Sequence, residues 1–135
     1  MKFKRILILG ALPKDEEKRK LYEAIVSVCR KFAEEASSPI DTAEFEGTDA
    51  ERYERAFREV GKADLIVGEL SEPSTGQGME LRKATVLGKP VVVVAREGSR
   101  VSGLVKACPV VKKIIYYSNL EELESKLGAF IEGFK

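Results

Sequence analysis

The sequence contains no histidine. This absence excludes Ser-His-Asp and Cys-His catalysis, zinc or iron sites built on histidine, and any imidazole general base. Acid–base or nucleophilic chemistry must therefore fall to carboxylates, lysine, tyrosine, serine or cysteine. Asparagine and glutamine occur once each, as Asn119 and Gln77, although 33% of the residues are charged, and this balance points to a thermophilic source.

Cysteine is nearly as scarce. Cys29 and Cys108 stand far apart in the chain and do not show the spacing of metal ligands. We interpret them as buried, reduced thiols of a cytosolic protein, with a disulfide as the alternative. The sequence predicts neither a metal site nor a cofactor.

The chain also lacks net charge and long apolar runs. Lysine and arginine number 23 against 22 acidic residues, so no net field attracts nucleic acid or an anionic membrane, and neither partner is expected. The basic residues 1–5 followed by apolar residues 6–9 mimic a signal peptide. That apolar run is too short, however, and charged residues 14–17 follow it without a cleavage site. We expect a first buried strand there and a cytoplasmic location, since no stretch approaches the roughly 20 apolar residues of a membrane span.

What the sequence does contain is an alternation of short apolar runs with amphipathic, capped segments. Its 135 residues, 44% of them hydrophobic, predict a single domain with one sizeable core. The predicted strands are residues 6–10, 39–45, 65–68, 91–94 and 114–117. Helices are predicted after Asp15, after Thr48 with burial of Tyr53, over residues 75–87, and after a cap formed by Ser118 and Glu121.

This alternation predicts an α/β fold. Short strand–helix connections favour a doubly wound, five-stranded parallel sheet with helices on both faces, a flavodoxin-like (Rossmann-like) three-layer sandwich. Ligands of such sheets bind outside the carboxyl ends of the strands. We therefore expect the functional site at the loops that follow Leu9, Val67 and Val94.

The loop of residues 68–80 is the best candidate among these. It follows a buried strand and opens a helix with two glycines, Gly76 and Gly78, which let backbone N–H groups approach an anion closely. Glu80 lies in the first turns of that helix, where its carboxylate is predicted to project over the strand ends. The alternative is an ordinary acidic residue that complements the helix dipole.

The same region carries a family resemblance. Residues 63–74, Gly76-Gln77-Gly78-Met79-Glu80-Leu81, Ala84 and residues 88–91 resemble the signature of the nucleoside 2-deoxyribosyltransferase superfamily. The nearer branch is that of the 2'-deoxynucleoside 5'-phosphate N-hydrolases. A weaker similarity at Gly10 and at residues 21–26 extends the resemblance over most of residues 1–135.

The resemblance implies specific roles. Glu80 matches the carboxylate nucleophile that attacks C1' of the deoxyribose and forms a glycosyl-enzyme intermediate, the two-step logic of retaining glycosidases. Ser74 matches a serine that contacts the 5'-phosphate, where the transferases usually carry aspartate. Ser102, or else Ser99, matches a serine that reaches a partner subunit's site. The residues so implied in substrate binding are Gly10, Lys14, Ser74, Gly76, Gly78 and Ser102.

This chain departs from the family pattern at three places. The turn after the first strand lacks the family's hydroxyl and arginine, although Lys14 can supply a cation nearby. A tyrosine expected in the first strand is replaced by Leu7. The family's general acid, an aspartate, falls near Ala56. The substitutes considered for that acid are Glu54, Glu59 and Glu69, each of which has the alternative of being a solvated charge.

Three functions follow as hypotheses. The first is an N-glycosidase that hydrolyses deoxynucleoside 5'-monophosphates through Glu80, with a small-molecule nucleotide as its partner. The second is a deoxyribosyltransferase, and the third is a nucleotide-binding module without catalysis, favoured by the missing groups. The resemblance further implies a homodimer. We expect Glu80 at the mouth of a pocket between the first, third and fourth strands, and Tyr117 in ordinary strand packing.

Overall fold

Strands and helices alternate along the whole chain, which the computed structural model describes from residue 1 to residue 135. The elements are β1 (Phe3–Leu9), α1 (Glu16–Cys29), β2 (Ala33–Ser37), α2 (Pro39–Glu44), α3 (Asp49–Lys62), β3 (Leu65–Glu69), α4 (Thr75–Leu87), β4 (Val91–Arg96), α5 (Gly103–Lys106), β5 (Val111–Tyr117) and α6 (Leu120–Gly133). All strand pairs are parallel, in the order β2-β1-β3-β4-β5. The flavodoxin-like prediction is confirmed.

Two hydrophobic clusters lie on opposite faces of the sheet. A cluster of 17 buried residues packs α1 and α6 against one face, and a cluster of 10 packs α3 and α4 against the other. The central strands β3 and β4 contribute to both clusters, which is why their sequences are continuous apolar runs. Helices α3 and α4 therefore share one face, and α4 enters it at the carboxyl edge of the sheet.

Local capping signals set the helix ends as predicted. Asp15 caps α1 by accepting a hydrogen bond from the Lys18 N–H, and Thr48 with Glu51 forms a reciprocal capping box on α3. Helix α4 spans the predicted residues. It ends at Gly88, whose φ of 69° lies in the left-handed region that glycine adopts most readily.

The predicted second strand is wrong. Residues 39–44 form helix α2, and β2 precedes it, pairing with β1 from Phe3 opposite Ala33. Ser38 caps α2, Pro39 occupies its first turn, and Asp41 completes a capping box. β2 lies at the sheet edge and carries two exposed glutamates, so its sequence lacks the apolar run by which the other strands were recognised.

Two side-chain predictions are also wrong. The cap of α6 is Asn119, which accepts from the Glu122 N–H, whereas Ser118 donates its N–H to the Glu122 carboxylate and its hydroxyl to Glu97. Tyr53 is 59% exposed on α3 and does not belong to the core. Both cysteines are free, and Cys29 is buried as predicted, but Cys108 is only half-buried. None of the helices has the length and apolar character required to cross a membrane.

Candidate active site

The carboxyl edge of the sheet brings together the loops that follow β1, β3 and β4. Helix α4 starts at this edge, one short loop after β3. Leu9 at the end of β1 and Leu81 on α4 belong to the same hydrophobic cluster, which seats the first turns of α4 against the sheet. The structure thus places Glu80, one residue before Leu81, in the part of α4 nearest this edge.

Glu80 is half-buried and lies beside the stripe of Gln77, Leu81 and Ala84 that α4 buries. Its carboxylate has no hydrogen-bond or ion-pair partner in the structure. Removal from water raises the pKa of Glu80 from 4.5 to about 7, and no charged group contributes to this rise. Side chains of a helix lean towards its N-terminus, so we expect the carboxylate to lie over the first turn of α4. A perturbed carboxyl in such a place is a candidate catalytic group.

The start of α4 leaves its donors free. Ser74 occupies the N-cap position, yet its hydroxyl makes no capping hydrogen bond. The first N–H groups of a helix have no intrahelical acceptor. Gly76 and Gly78 are exposed, neither has a positive φ, and a Cβ added to either would meet no atom closer than 3.9 Å. The folded chain itself does not require glycine there, and the bare backbone is open to a ligand.

Gly10 has a different explanation. A Cβ at this position would overlap the hydroxyl oxygen of Tyr22 and lie 2.8 Å from its ring carbon Cζ. Tyr22 is completely buried, and its hydroxyl donates to the Ala11 carbonyl. Packing of Tyr22 beneath the loop therefore accounts for glycine at position 10 without a ligand.

Lys14 is already paired. Its ammonium lies 3.0 Å from the Glu72 carboxylate, and this ion pair joins the loop after β1 to the loop after β3. The hydrogen bond between them raises the pKa of Lys14 and lowers that of Glu72. Glu72 is two residues from Ser74, so an anion bound at Ser74 would compete with Glu72 for the lysine.

The largest departure from expectation is Glu69. The alternative of a solvated charge is wrong for this residue, because Glu69 is fully buried at the end of β3. Its carboxylate accepts from Lys18 Nζ at 3.1 Å, from Tyr117 Oη at 2.6 Å, and from the hydroxyl and N–H of Ser71 at 2.6 and 3.1 Å. The period of two along β3 places Glu69 on the same face as Leu65 and Val67, a signal that could have revealed its burial.

These groups form one network across three strand ends. Tyr117, buried as predicted for strand packing, has its pKa raised by burial and by the neighbouring Glu69 carboxylate. The Arg96 N–H donates to Ser71 Oγ at 2.7 Å, and the Arg96 guanidinium lies 5.4 Å from the centre of the Tyr117 ring. A cavity of about 240 Å³ opens beside the network. The buried charged groups of this network, Lys18 and Glu69, are paired with one another. Its hydrogen bonds to Ser71 hold the loop after β3 from the α1 side of the sheet.

The remaining predicted residues make no hydrogen bond or ion pair with Glu80. Ser102 is exposed and caps α5 by accepting from the Leu104 N–H. Glu54 is exposed on α3, and Glu59 lines a cavity of about 250 Å³ against β1 and β2 that does not include Glu80. None of the three carboxylates considered as general acid contacts Glu80, and Glu69 faces the opposite side of the sheet. The predicted pocket at Glu80 stays a prediction.

Comparison with curated proteins finds relatives that are named as N-hydrolases of deoxynucleotides. No family model matches the sequence. A putative 2'-deoxynucleoside 5'-phosphate N-hydrolase of Syntrophotalea carbinolica is 30% identical over 127 residues, 88% of each chain. A 5-hydroxymethyl-dUMP N-hydrolase of Mus musculus is 27% identical over 139 residues, 96% of this chain and 80% of that protein.

Solved structures share the fold. A CMP N-glycosidase of Clostridium botulinum superposes with a TM-score of 0.75 at 17% identity, covering 94% of this chain and 99% of the other. A 2-deoxyribosyltransferase of Bacillus psychrosaccharolyticus gives a TM-score of 0.69 at 17% identity, covering 94% and 95%. At this level of identity the two structures support the architecture alone.

Proposed function

Since this chain belongs to the family of 2'-deoxynucleoside 5'-phosphate N-hydrolases, we propose that it hydrolyses the bond between base and sugar in deoxynucleoside 5'-monophosphates. The observation that carries the proposal is the half-buried, unpaired carboxylate of Glu80, whose pKa is raised to about 7 beside an open helix N-terminus. A carboxylate held out of water and without a partner is a strong candidate to react with an electron-poor carbon.

In the proposed reaction the ionised Glu80 carboxylate attacks C1' of the deoxyribose. The new C–O bond forms as the bond from C1' to the base nitrogen breaks, and the base leaves with that electron pair. No carboxylic acid of this chain contacts Glu80, so we propose that solvent supplies the proton to the departing base. Water then attacks C1' and gives a proton to solvent while the bond between C1' and the Glu80 oxygen breaks, which releases deoxyribose 5-phosphate and regenerates the Glu80 carboxylate.

Incubation with the four deoxynucleoside 5'-monophosphates tests this function. Chromatography should show a free base and deoxyribose 5-phosphate in equal amounts. A second free base added to the mixture should leave the yield of hydrolysis products unchanged. A new nucleotide formed from that base would instead favour the transferase hypothesis, and binding without release of any base would favour the noncatalytic module.

We further propose that the start of α4 binds the 5'-phosphate. The uncapped hydroxyl of Ser74 and the first N–H groups of the helix are free donors at the same end of α4, and the helix dipole favours an anion there. Gly76 and Gly78 let the phosphate approach the backbone. Lys14, on the loop after β1, would also bind the phosphate once the phosphate replaces Glu72 as the partner of its ammonium group.

Replacing Ser74 with alanine should weaken binding of a deoxynucleoside monophosphate by about tenfold, because one charge-assisted hydrogen bond contributes roughly 1.5 kcal/mol or more. Binding of the matching nucleoside should not change, since it lacks the phosphate. Calorimetric titration of both ligands measures the difference, with Ser27→Ala on the exposed face of α1 as the control. Equal losses for nucleotide and nucleoside would contradict the phosphate role.

The pH dependence follows from the environment of Glu80. Because burial raises its pKa to about 7 and the nucleophile must be ionised, kcat/KM should fall about tenfold per pH unit below that value. Rates measured from pH 5 to pH 9 give the profile, and carbon NMR of the glutamate carboxyls assigns the titrating group. A rate that rises on acidification through pH 7 would show that Glu80 acts as a proton donor instead.

A homodimer is proposed through the outer face of α4 and residues 99–104. Met79 and Val86 are seven residues apart on that face and are 47% and 65% exposed, and Leu104 is 86% exposed. Such apolar side chains favour an interface. Sedimentation at micromolar concentration should show a dimer, and Val86→Glu should dissociate it. A wild-type monomer would contradict the proposal.

A further inference from the structure

The carbonyl group of Glu69 holds the first turn of α4. Gln77 is 4% exposed, and its side-chain amide Nε2 donates to the Glu69 backbone oxygen over 3.0 Å. This bond spans the loop of residues 70–74 and joins the end of β3 directly to the helix. It is the one side-chain hydrogen bond that connects the first turn of α4 to the sheet.

The Glu69 carbonyl, which accepts this hydrogen bond, is held firmly by its surroundings. Four donors from Lys18, Ser71 and Tyr117 fix the carboxylate of Glu69, and the residue is completely buried. The next residue, Leu70, donates its N–H to the Val94 carbonyl and so ties the same point to β4. The position of the Glu69 carbonyl is therefore set by α1, β4 and β5 together with Ser71 of the following loop.

The first turn of α4, in contrast, has few other contacts, since the hydrophobic cluster holds the helix only from Leu81 onwards. Ser74 makes no side-chain cap, and the glycines at positions 76 and 78 offer no side chains for packing. Glu80 follows Gln77 by three residues and so lies next to it on the helix surface. Any movement of the first turn moves Glu80 and Ser74 together.

We propose that Gln77 is a positioning residue, which holds the first turn of α4 against the Glu69 carbonyl and thereby aims Glu80 at the sugar. This inference rests on the proposed function of Glu80. Gln77 does not touch the substrate in this role and takes no proton. It acts by fixing the position of the first turn, and with it Glu80 and Ser74, relative to the end of β3.

Replacing Gln77 with methionine tests the inference, because methionine keeps the length of the side chain and removes the donor. We expect kcat to fall about 10- to 100-fold, since small displacements of a reacting group have effects of this size, while KM changes less than about threefold. The pKa of Glu80, followed by carbon NMR, should fall from about 7 towards 4.5 as the loosened turn admits water. Gln77→Asn, which keeps the amide on a shorter side chain, should behave in the same way.

Thr85→Val is the matched control. Thr85 is on the same helix, and its hydroxyl bonds to the Leu81 carbonyl, so the variant loses a hydrogen bond of α4 away from the site. It should keep the kcat and the Glu80 pKa of the wild type. The inference is overturned if both Gln77 variants keep kcat within about twofold and leave the Glu80 pKa unchanged, whatever happens to their stability. The NMR titration needs no activity, so an inactive wild type would refute the proposed function while the positioning of Glu80 is still tested.

Discussion

Replacing Glu80 with glutamine should lower kcat by at least about 10⁴-fold, the scale seen when a covalent nucleophile is removed. The amide has nearly the same shape as the carboxylate but cannot form the glycosyl ester with C1'. Single-turnover release of base, measured by chromatography, is the appropriate assay. A loss smaller than about tenfold would show that Glu80 is not the nucleophile.

The stability of the same variant provides an internal control. An unpaired carboxyl whose pKa is raised from 4.5 to about 7 destabilises the folded state when it is ionised. Glu80→Gln should therefore raise the free energy of unfolding at pH 8 by about 2 kcal/mol, after allowance for its partial exposure. Below about pH 4.5 the carboxyl is protonated in the folded and unfolded states alike, and the difference should vanish. A variant that is inactive yet more stable cannot owe its inactivity to misfolding.

Replacing Lys18 with methionine should destabilise the protein by about 3–5 kcal/mol, because it leaves the Glu69 carboxylate buried without its cation. The lysine side chain is 7% exposed and that of Glu69 is completely buried, so the carboxylate has no contact with solvent to replace the lost partner. Urea unfolding followed by circular dichroism measures the change. A loss below about 1 kcal/mol would mean that the hydrogen bonds from Tyr117 and Ser71 suffice to hold the charge.

The double variant Lys18→Met with Glu69→Gln separates the ion pair from the packing around it. Removing both charges leaves no uncompensated ion, and an amide at position 69 can still accept from Tyr117 and Ser71. The double variant should therefore be more stable than Lys18→Met alone. With the single variant Glu69→Gln the cycle is complete, and the stability change of the double variant minus those of the two single variants gives the coupling energy of the pair.

The parts of the fold that the sequence predicted are those with local causes. Helix α4 was predicted from end to end because Gly88 terminates it. The starts of α1 and α3 were predicted because Asp15 and Thr48 each cap the N–H of a residue three positions later. β2 was missed since its residues are polar and its identity as a strand comes from pairing with β1, about 30 residues away. Its first contact is between Phe3 and Ala33, which no local pattern reveals.

The candidate site divides in the same way. Ser74 and Glu80 lie within a single stretch of chain, so a linear motif indicates both. Glu69 meets Lys18 and Tyr117 at separations of 51 and 48 residues, and only the folded sheet brings them together. The sequence likewise does not reveal the hydrogen bond between Gln77 and the Glu69 carbonyl, because every residue has a backbone carbonyl and the type of the accepting residue carries no signal.

The contact between Gly10 and Tyr22 has an evolutionary consequence. Any side chain at position 10 collides with the phenol ring below it, so a mutation there is tolerated only after Tyr22 has been replaced by a smaller residue. The two positions form an ordered pair of substitutions, in which the core must change before the loop can. If the turn after β1 were replaced by that of a relative with a side chain at position 10, the chain would fold only if residue 22 of that relative were transferred as well.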